Sequence, residues 1–260
     1  MNKYQAFFAL GLVEHIRHGA RFVLRLAAFL LFFVVFAELW AFLDRTGTFD
    51  LVHSLGSMQW YAFYTQMALF ASSRLFTQVE DDVRSGNIAY FLIRPVPYLW
   101  MRYLEGLGGM FGNFIIYVTA GAGFAWWYIG HLPAQSLAPL YIPLSLFTGV
   151  AIHQFFQLAI GMMAMWLQDS DALYRVYQKL IIVLGGLYLP LIYYPDWIQS
   201  FVFLTPFPAI MYLPGQMVFA DPPLPLAQVA GIQAIWLVIS ILVMHGLYRI
   251  CIRRVEVNGG

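Results

Sequence analysis

Apolar residues run along this chain in long blocks, with the charged residues gathered between them. Six blocks stand out, over residues 26–43, 57–76, 103–129, 138–167, 179–194 and 226–250. Most approach the roughly 20 residues that an α-helix needs to cross a hydrocarbon core. The fifth is short and runs into "YPDWIQSFVFLTPFPAIMYLPGQMVFADPP", which is apolar but broken by prolines. Each proline removes a backbone donor and disfavours helix just before it. Irregular backbone at membrane depth survives only when buried in protein or lining a cavity. Residues 195–225 are therefore expected to form short re-entrant or interfacial helices on the outer ends of the spans. Ahead of the first block, "MNKYQAFFALGLVEHIRHGARFVLR" mixes apolar residues with cations. Residues 1–25 suit an amphipathic helix lying on the inner leaflet. The alternative is a docking element for a cytoplasmic partner.

Composition agrees. The chain is 61% hydrophobic, 18% aromatic and only 10% charged, with a mean hydropathy of +0.70. A soluble domain has about half its residues apolar and roughly a quarter charged. Too little polar surface remains to cover a water-facing globule. The expectation is an all-α integral membrane protein of six transmembrane helices, with residues 1–260 forming a single transmembrane domain. Charges at Lys3, Glu14, Arg17, Arg21 and Arg25 interrupt the N-terminus, which does not read as a signal peptide. Net charge of +1 points to no nucleic acid, and the lone Cys251 excludes an intrachain disulfide or a cysteine-based metal cluster.

Basic residues orient the spans. With both termini cytoplasmic, every Lys and Arg except Arg45 lies on the inner side. That is the distribution the positive-inside rule demands. Asp44, Asp50, Asp196 and Asp221 fall in the outer loops. Trp40, Trp60, Trp126, Trp127 and Trp197 gather near the same boundary, as interfacial aromatics do.

Chemistry-bearing motifs are sparse. No G-x-x-x-x-G-K-[ST], H-E-x-x-H or G-x-S-x-G occurs, and the six histidines scatter over both sides. Polar residues inside spans are functional candidates by default, although amides and hydroxyls also tie helices together. Gln59 and Gln66 stand seven apart on one face of span two, where both readings stay open. His153, Gln154 and Gln157 cluster on span four and read first as packing. Gly106, Gly108, Gly109 and Gly112 allow close helix approach on span three. Gly185, Gly186 and Pro190 make span five deformable.

The densest charge cluster lies in "QVEDDVRSGNIAYFLIRPVPYLW", residues 78–100. Glu80 and Arg84 are four apart and can pair along a helix. Ser85-Gly86 offers a stop, and Asn87 caps a short helix with Ile88, Phe91 and Leu92 on one face, ended by Pro95. On this topology the cluster projects into the cytoplasm, where its charges are expected to be solvated. It is either an ordinary loop on the headgroups or a knob that a soluble protein can hold.

"VRSGNIAYFLIRPVPYLW" resembles the cytoplasmic loop of type-2 ABC exporter permeases, and "LTPFPAIMYLPGQMVF" resembles a bacterial subfamily of similar length. The resemblance covers nearly the whole chain. It implies the type-2 exporter fold, two permease halves per complex, and two cytoplasmic ABC ATPase subunits that bind the ATP and Mg. This chain would bind no cofactor and sit in a bacterial cytoplasmic (inner) membrane. Residues 77–102 would form the coupling loop. Glu80, Asp81, Asp82, Arg84, Ser85, Gly86 and Asn87 would meet the ATPase, with Ile88, Phe91 and Leu92 seating the short helix. Spans two and five line the route in such exporters, which points to Gln59, Gln66, Gly185 and Tyr188. The expected function is a permease subunit exporting a lipophilic or amphipathic substrate. An integral membrane enzyme, for which Glu38, Glu105 and His153 are not an obvious convergent set, and a channel, for which no charge ring or carbonyl filter is visible, are the rival readings.

Overall fold

The computed structural model describes residues 3–17, 19–47, 51–92, 94, 96–133, 138–167 and 170–258. At residues 3, 14–17, 19–22, 92, 138–140 and 253–258 only the backbone is described. Helices α1 (Lys3–Arg17), α2 (Gly19–Thr46), α3 (Leu55–Ala71), α4 (Leu75–Arg84) and α5 (Ile88–Leu92) come first. A long rod follows, made of α6 (Tyr98–Ile116), a π-turn (Tyr117–Gly121) and α7 (Ala122–Ile129). Then come α8 (Ala138–Met162), α9 (Ala164–Leu167) and α10 (Asp171–Leu184). Short helices α11 (Asp196–Val202), α12 (Phe207–Ile210) and α13 (Tyr212–Gln216) precede the long α14 (Leu226–Asn258). No strand occurs among the described residues.

Four helical stretches are long and apolar enough to cross a membrane: Val23–Thr46, Tyr98–Ile129, Tyr141–Leu167 and Leu226–Ile252. They coincide with expected spans one, three, four and six. Expected spans two and five appear as shorter helices, α3 of 17 residues and α10 of 14. The block over 57–76 does not run through as one helix: it breaks at Ser72, whose ψ of 139° is extended, and restarts as α4. The block over 179–194 is helical only to Leu184, and its helix begins earlier, at Asp171. Gly186 takes a left-handed φ of +77°, which ends the helix, and a 3-10 turn over Leu191–Tyr193 follows.

The α3 break shows how a polar seam survives inside an apolar bundle. The Ser72 hydroxyl accepts from the Gln157 amide at 2.6 Å, and the Asn113 amide donates to the Ala71 carbonyl at 3.2 Å. Gln154 donates to both the Ser73 hydroxyl and the Gly106 carbonyl. The helix ends thus find partners in neighbouring spans instead of water. His153 meets the Tyr177 hydroxyl at 2.7 Å. The span-four polar residues are therefore packing groups, as expected.

Around α3 lies the main core. Phe29 and Phe33 of α2 meet Phe63 edge to face, and Phe29 lies against Tyr117 in the π-turn. Residues 207–219 of the proline-broken segment are all buried, so the short helices expected there are present and roofed by protein. Gly149 lets α8 approach the Ile210 carbonyl of α12. Gln233 of α14 ties both by donating to the Ser145 and Ala209 carbonyls at 2.9 Å. Nearby, the His53 ring stacks on Phe219 with centroids 3.8 Å apart. Burial there draws the His53 pKa below its usual value, opposed in part by Asp221.

The N-terminal helix departs from the expected surface-lying element. α1 packs lengthwise on α6, and Phe8 meets Phe111 with ring centroids 5.8 Å apart. A side chain at Gly11 would strike the Glu105 carbonyl, and one at Gly108 the Phe8 carbonyl. Glycines on both helices permit this approach, so the expected close packing at Gly108 is real and its partner is α1.

Candidate functional site

α4 carries the charge cluster, and its two faces differ. Asp81 and Arg84 point outward, with Ser85, Gly86 and Asn87 also exposed. Glu80 and Asp82 are buried, only 4% and 6% accessible. The expectation that the whole cluster is solvated is corrected here. An α-helix turns about 100° per residue, so Asp81 points away from the sides on which Glu80 and Asp82 are held.

Asp82 sits in a forked clasp. Arg102 of α6 donates from Nε and Nη2 to its two oxygens, each at 2.7 Å, and the Tyr98 hydroxyl donates to it at 2.6 Å. The remaining guanidinium arm reaches Glu105 at 2.7 Å. A planar guanidinium matches a carboxylate through two parallel bonds, which fixes orientation as well as charge. The Arg102 guanidinium also lies 4.8 Å from the centre of the Phe91 ring, and Arg94 lies at the same distance. Phe91 of α5 thus meets two cations, Arg94 just after its own helix and Arg102 of α6.

Glu80 makes a second clasp. Its carboxylate accepts from the Ser170 hydroxyl at 2.6 Å and from the Ser170 backbone amide at 3.4 Å, at the start of α10. A carboxylate there complements the partial positive charge of a helix N-terminus. Arg84 lies 3.3 Å from the same carboxylate, the pairing expected from their spacing. Beside it, Phe76 of α4 stacks on Tyr174 of α10 at 3.7 Å. α4 is therefore fastened to α6 through Asp82 and to α10 through Glu80 and Phe76.

Between α4 and α5 the chain turns sharply. Gly86 takes φ +73° after the Ser85 amide closes on the Asp81 carbonyl at 2.9 Å. The expected glycine stop is present. The Asn87 carbonyl accepts from the Tyr90 and Phe91 amides in the first turn of α5. Ile88 is buried, Phe91 turns inward and Tyr90 is 72% exposed. The side chain of Leu92, and all of Pro95, lie outside the described residues. The result is a small two-helix projection with a charged outer face and a rigidly anchored inner one.

The four residues expected along a route lie at contacts between neighbouring elements. Gln59 and Gln66 do share a face, and each donates at 3.3 Å to an α2 carbonyl, Ala37 and Phe32 respectively. They knit α3 to α2 in this conformation. Gly185 lies where α10 meets Met211 and the Phe207 carbonyl, and the neighbouring Gly186 carbonyl accepts from the Tyr61 hydroxyl of α3 at 2.6 Å. Tyr188 is half exposed and stacks on Phe36. Glu38, Glu105 and His153 pair in three separate places, with Arg45 and Tyr128, with Arg102, and with Tyr177. Among the described residues no three His, Cys, Asp or Glu side chains converge as a metal-binding set.

Tyr98, Arg102 and Ser170 were not singled out as site residues from sequence. Arg102 carried a usable signal, being a guanidinium three residues from Glu105 in a largely apolar helix. Ser170 carried none, because its partner lies 90 positions away.

Comparison with curated proteins finds no match. A family model described as ABC-2 family transporter protein matches residues 22–259. That span includes the anchored projection and all four long apolar helices, and so the chain is a multi-pass membrane protein that belongs to the ABC-2 transporter family.

Proposed function

We propose that this chain is the permease subunit of an ATP-binding cassette exporter and that the α4–α5 projection is its ATPase coupling element. The observation that carries the reading is the two-faced helix α4. Asp81, Arg84, Ser85, Gly86 and Asn87 face outward, while Glu80 and Asp82 clamp the same helix to α10 and α6. A partner that pushes on the outer face would move both helices, because buried charge pairs resist separation. In this reading two cytoplasmic ATPases hold the ATP and Mg, and the chain itself needs no cofactor. Six crossings result, with α3 and α10 as the second and fifth, and both termini face the cytoplasm of a bacterial inner membrane. Two permease halves, alike or homologous, form the complex. ATP-driven closure of the ATPases then changes access between the spans around Gln59, Gln66, Gly185 and Tyr188. An apolar, aromatic-rich interior favours a lipophilic or amphipathic substrate.

The test is purification of the tagged full-length chain from native membranes, with identification of its stoichiometric partners. A soluble ATPase should accompany the unaltered chain and be lost from the Asp81→Lys/Arg84→Gln variant. Both substitutions lie on the exposed face, so the variant should keep its fold. An intact chain with no ATPase, or one whose ATPase ignores the substitutions, would remove the coupling assignment.

A further inference from the structure

A cavity of ≈ 370 Å³ opens between the first turns of the long apolar part of α2, the Ser72–Arg74 break and α10. Its size falls in the usual range of small-molecule sites, about 300–1,000 Å³. Its walls divide by chemistry. Leu24, Ala28, Leu69 and Phe70 form an apolar side, and Leu24 is 71% exposed at the surface of the bundle. Arg25, Arg74, Tyr174 and Gln178 supply the polar side. Among the described residues neither guanidinium has a carboxylate or hydrogen-bond partner. The serines at the break are already committed, Ser72 to Gln157 and Ser73 to Gly106 and Gln154.

Two cations facing one cavity, beside an amide and a phenol with donors to spare, are the groups that an anion-binding site needs. Guanidinium groups bind phosphate through paired hydrogen bonds, and basic pockets between membrane helices take anionic headgroups. The apolar wall continues from that site to an exposed leucine, which gives a hydrocarbon chain a place to lie. We propose that this cavity binds an anionic amphiphile, its phosphate-type headgroup on Arg25 and Arg74 and its chain along Leu24, Ala28 and Leu69. The break leads directly into α4, so the site lies in the leaflet nearest the projection. It narrows the substrate or lipid class of the proposed permease to anionic amphiphiles. It rests on the membrane-spanning architecture and needs no ATPase; only its assignment to the inner leaflet uses the orientation proposed above.

The experiment is native mass spectrometry of the full-length chain released from micelles containing phosphatidylglycerol or phosphatidylcholine. Phosphatidylglycerol should be retained at least about tenfold better, as expected for two charge-assisted contacts. The Arg25→Gln/Arg74→Gln variant should lose that preference, and Arg25→Lys/Arg74→Lys should keep most of it. Arg74→Gln alone changes an exposed residue and serves as the variant whose folding is not at issue; it should lower the preference severalfold. Decyl phosphate should displace the lipid at concentrations where inorganic phosphate does not. Equal retention of the two lipids would overturn the proposal, as would an undiminished preference in the double Gln variant. Displacement by inorganic phosphate as readily as by decyl phosphate would mark a free-anion site and overturn the amphiphile assignment. None of these outcomes depends on whether an ATPase co-purifies.

Discussion

Asp82 and Asp81 are neighbours in sequence and opposites in environment. Asp82 sits behind two guanidinium bonds and a tyrosine, whereas Asp81 is exposed. A buried ion pair contributes little against a well-packed apolar pair, yet breaking one partner away is costly. Arg102→Leu should therefore destabilise the protein by about 3–5 kcal/mol, measured as thermal unfolding in detergent. Arg84→Leu, which removes an exposed cation, should cost no more than about 1 kcal/mol. Equal effects of the two would show that the forked clasp is not a stabilising anchor.

At the scale of elements, α1 shows how glycine placement decides a helix's role. Its alternation of apolar and basic residues suits a membrane surface, but Gly11 and Gly108 admit a backbone approach that surface binding would not need. Gly108→Leu drives a side chain into the Phe8 backbone, so α1 must move away, at about 1–3 kcal/mol, the usual penalty of overpacking. In a Cys251→Ala background, Phe8→Cys and Phe111→Cys should be joined by a short bismaleimide cross-linker, and Gly108→Leu should abolish that link. A cross-link that forms equally well with Gly108→Leu would return α1 to the lipid surface.

At the scale of the whole molecule, the amphipathic helix α10 is left half uncovered by the described residues. α10 buries Tyr177, Ile181 and Ile182 but exposes Val176, Leu180 and Val183, with Tyr188 exposed just beyond. That exposed face is where we place the second permease half. Val183→Cys, again without Cys251, should cross-link copies of the chain in native membranes. Leu242→Cys on the exposed face of α14 should not, because that helix faces lipid in this arrangement. Cross-linking at Leu242 alone would move the interface to α14. Cross-linking at Val183 to a different permease would show unlike halves.

Length and hydropathy of the apolar blocks determined the all-helical membrane class, the four long helices and the short buried helices after residue 195. These follow from the cost of unpaired backbone in hydrocarbon, which is a local and additive quantity. The Gly86 turn and the Glu80–Arg84 pair were equally legible, because both act within a few residues. Only the tertiary structure decided which acids of the cluster are buried, where α1 lies, and that the 57–76 block breaks at Ser72. Each depends on a partner distant in sequence: Arg102 for Asp82, Ser170 for Glu80, Glu105 for Gly11 and Gln157 for Ser72. Such pairings depend on how whole helices cross, and no periodicity along one segment carries that information.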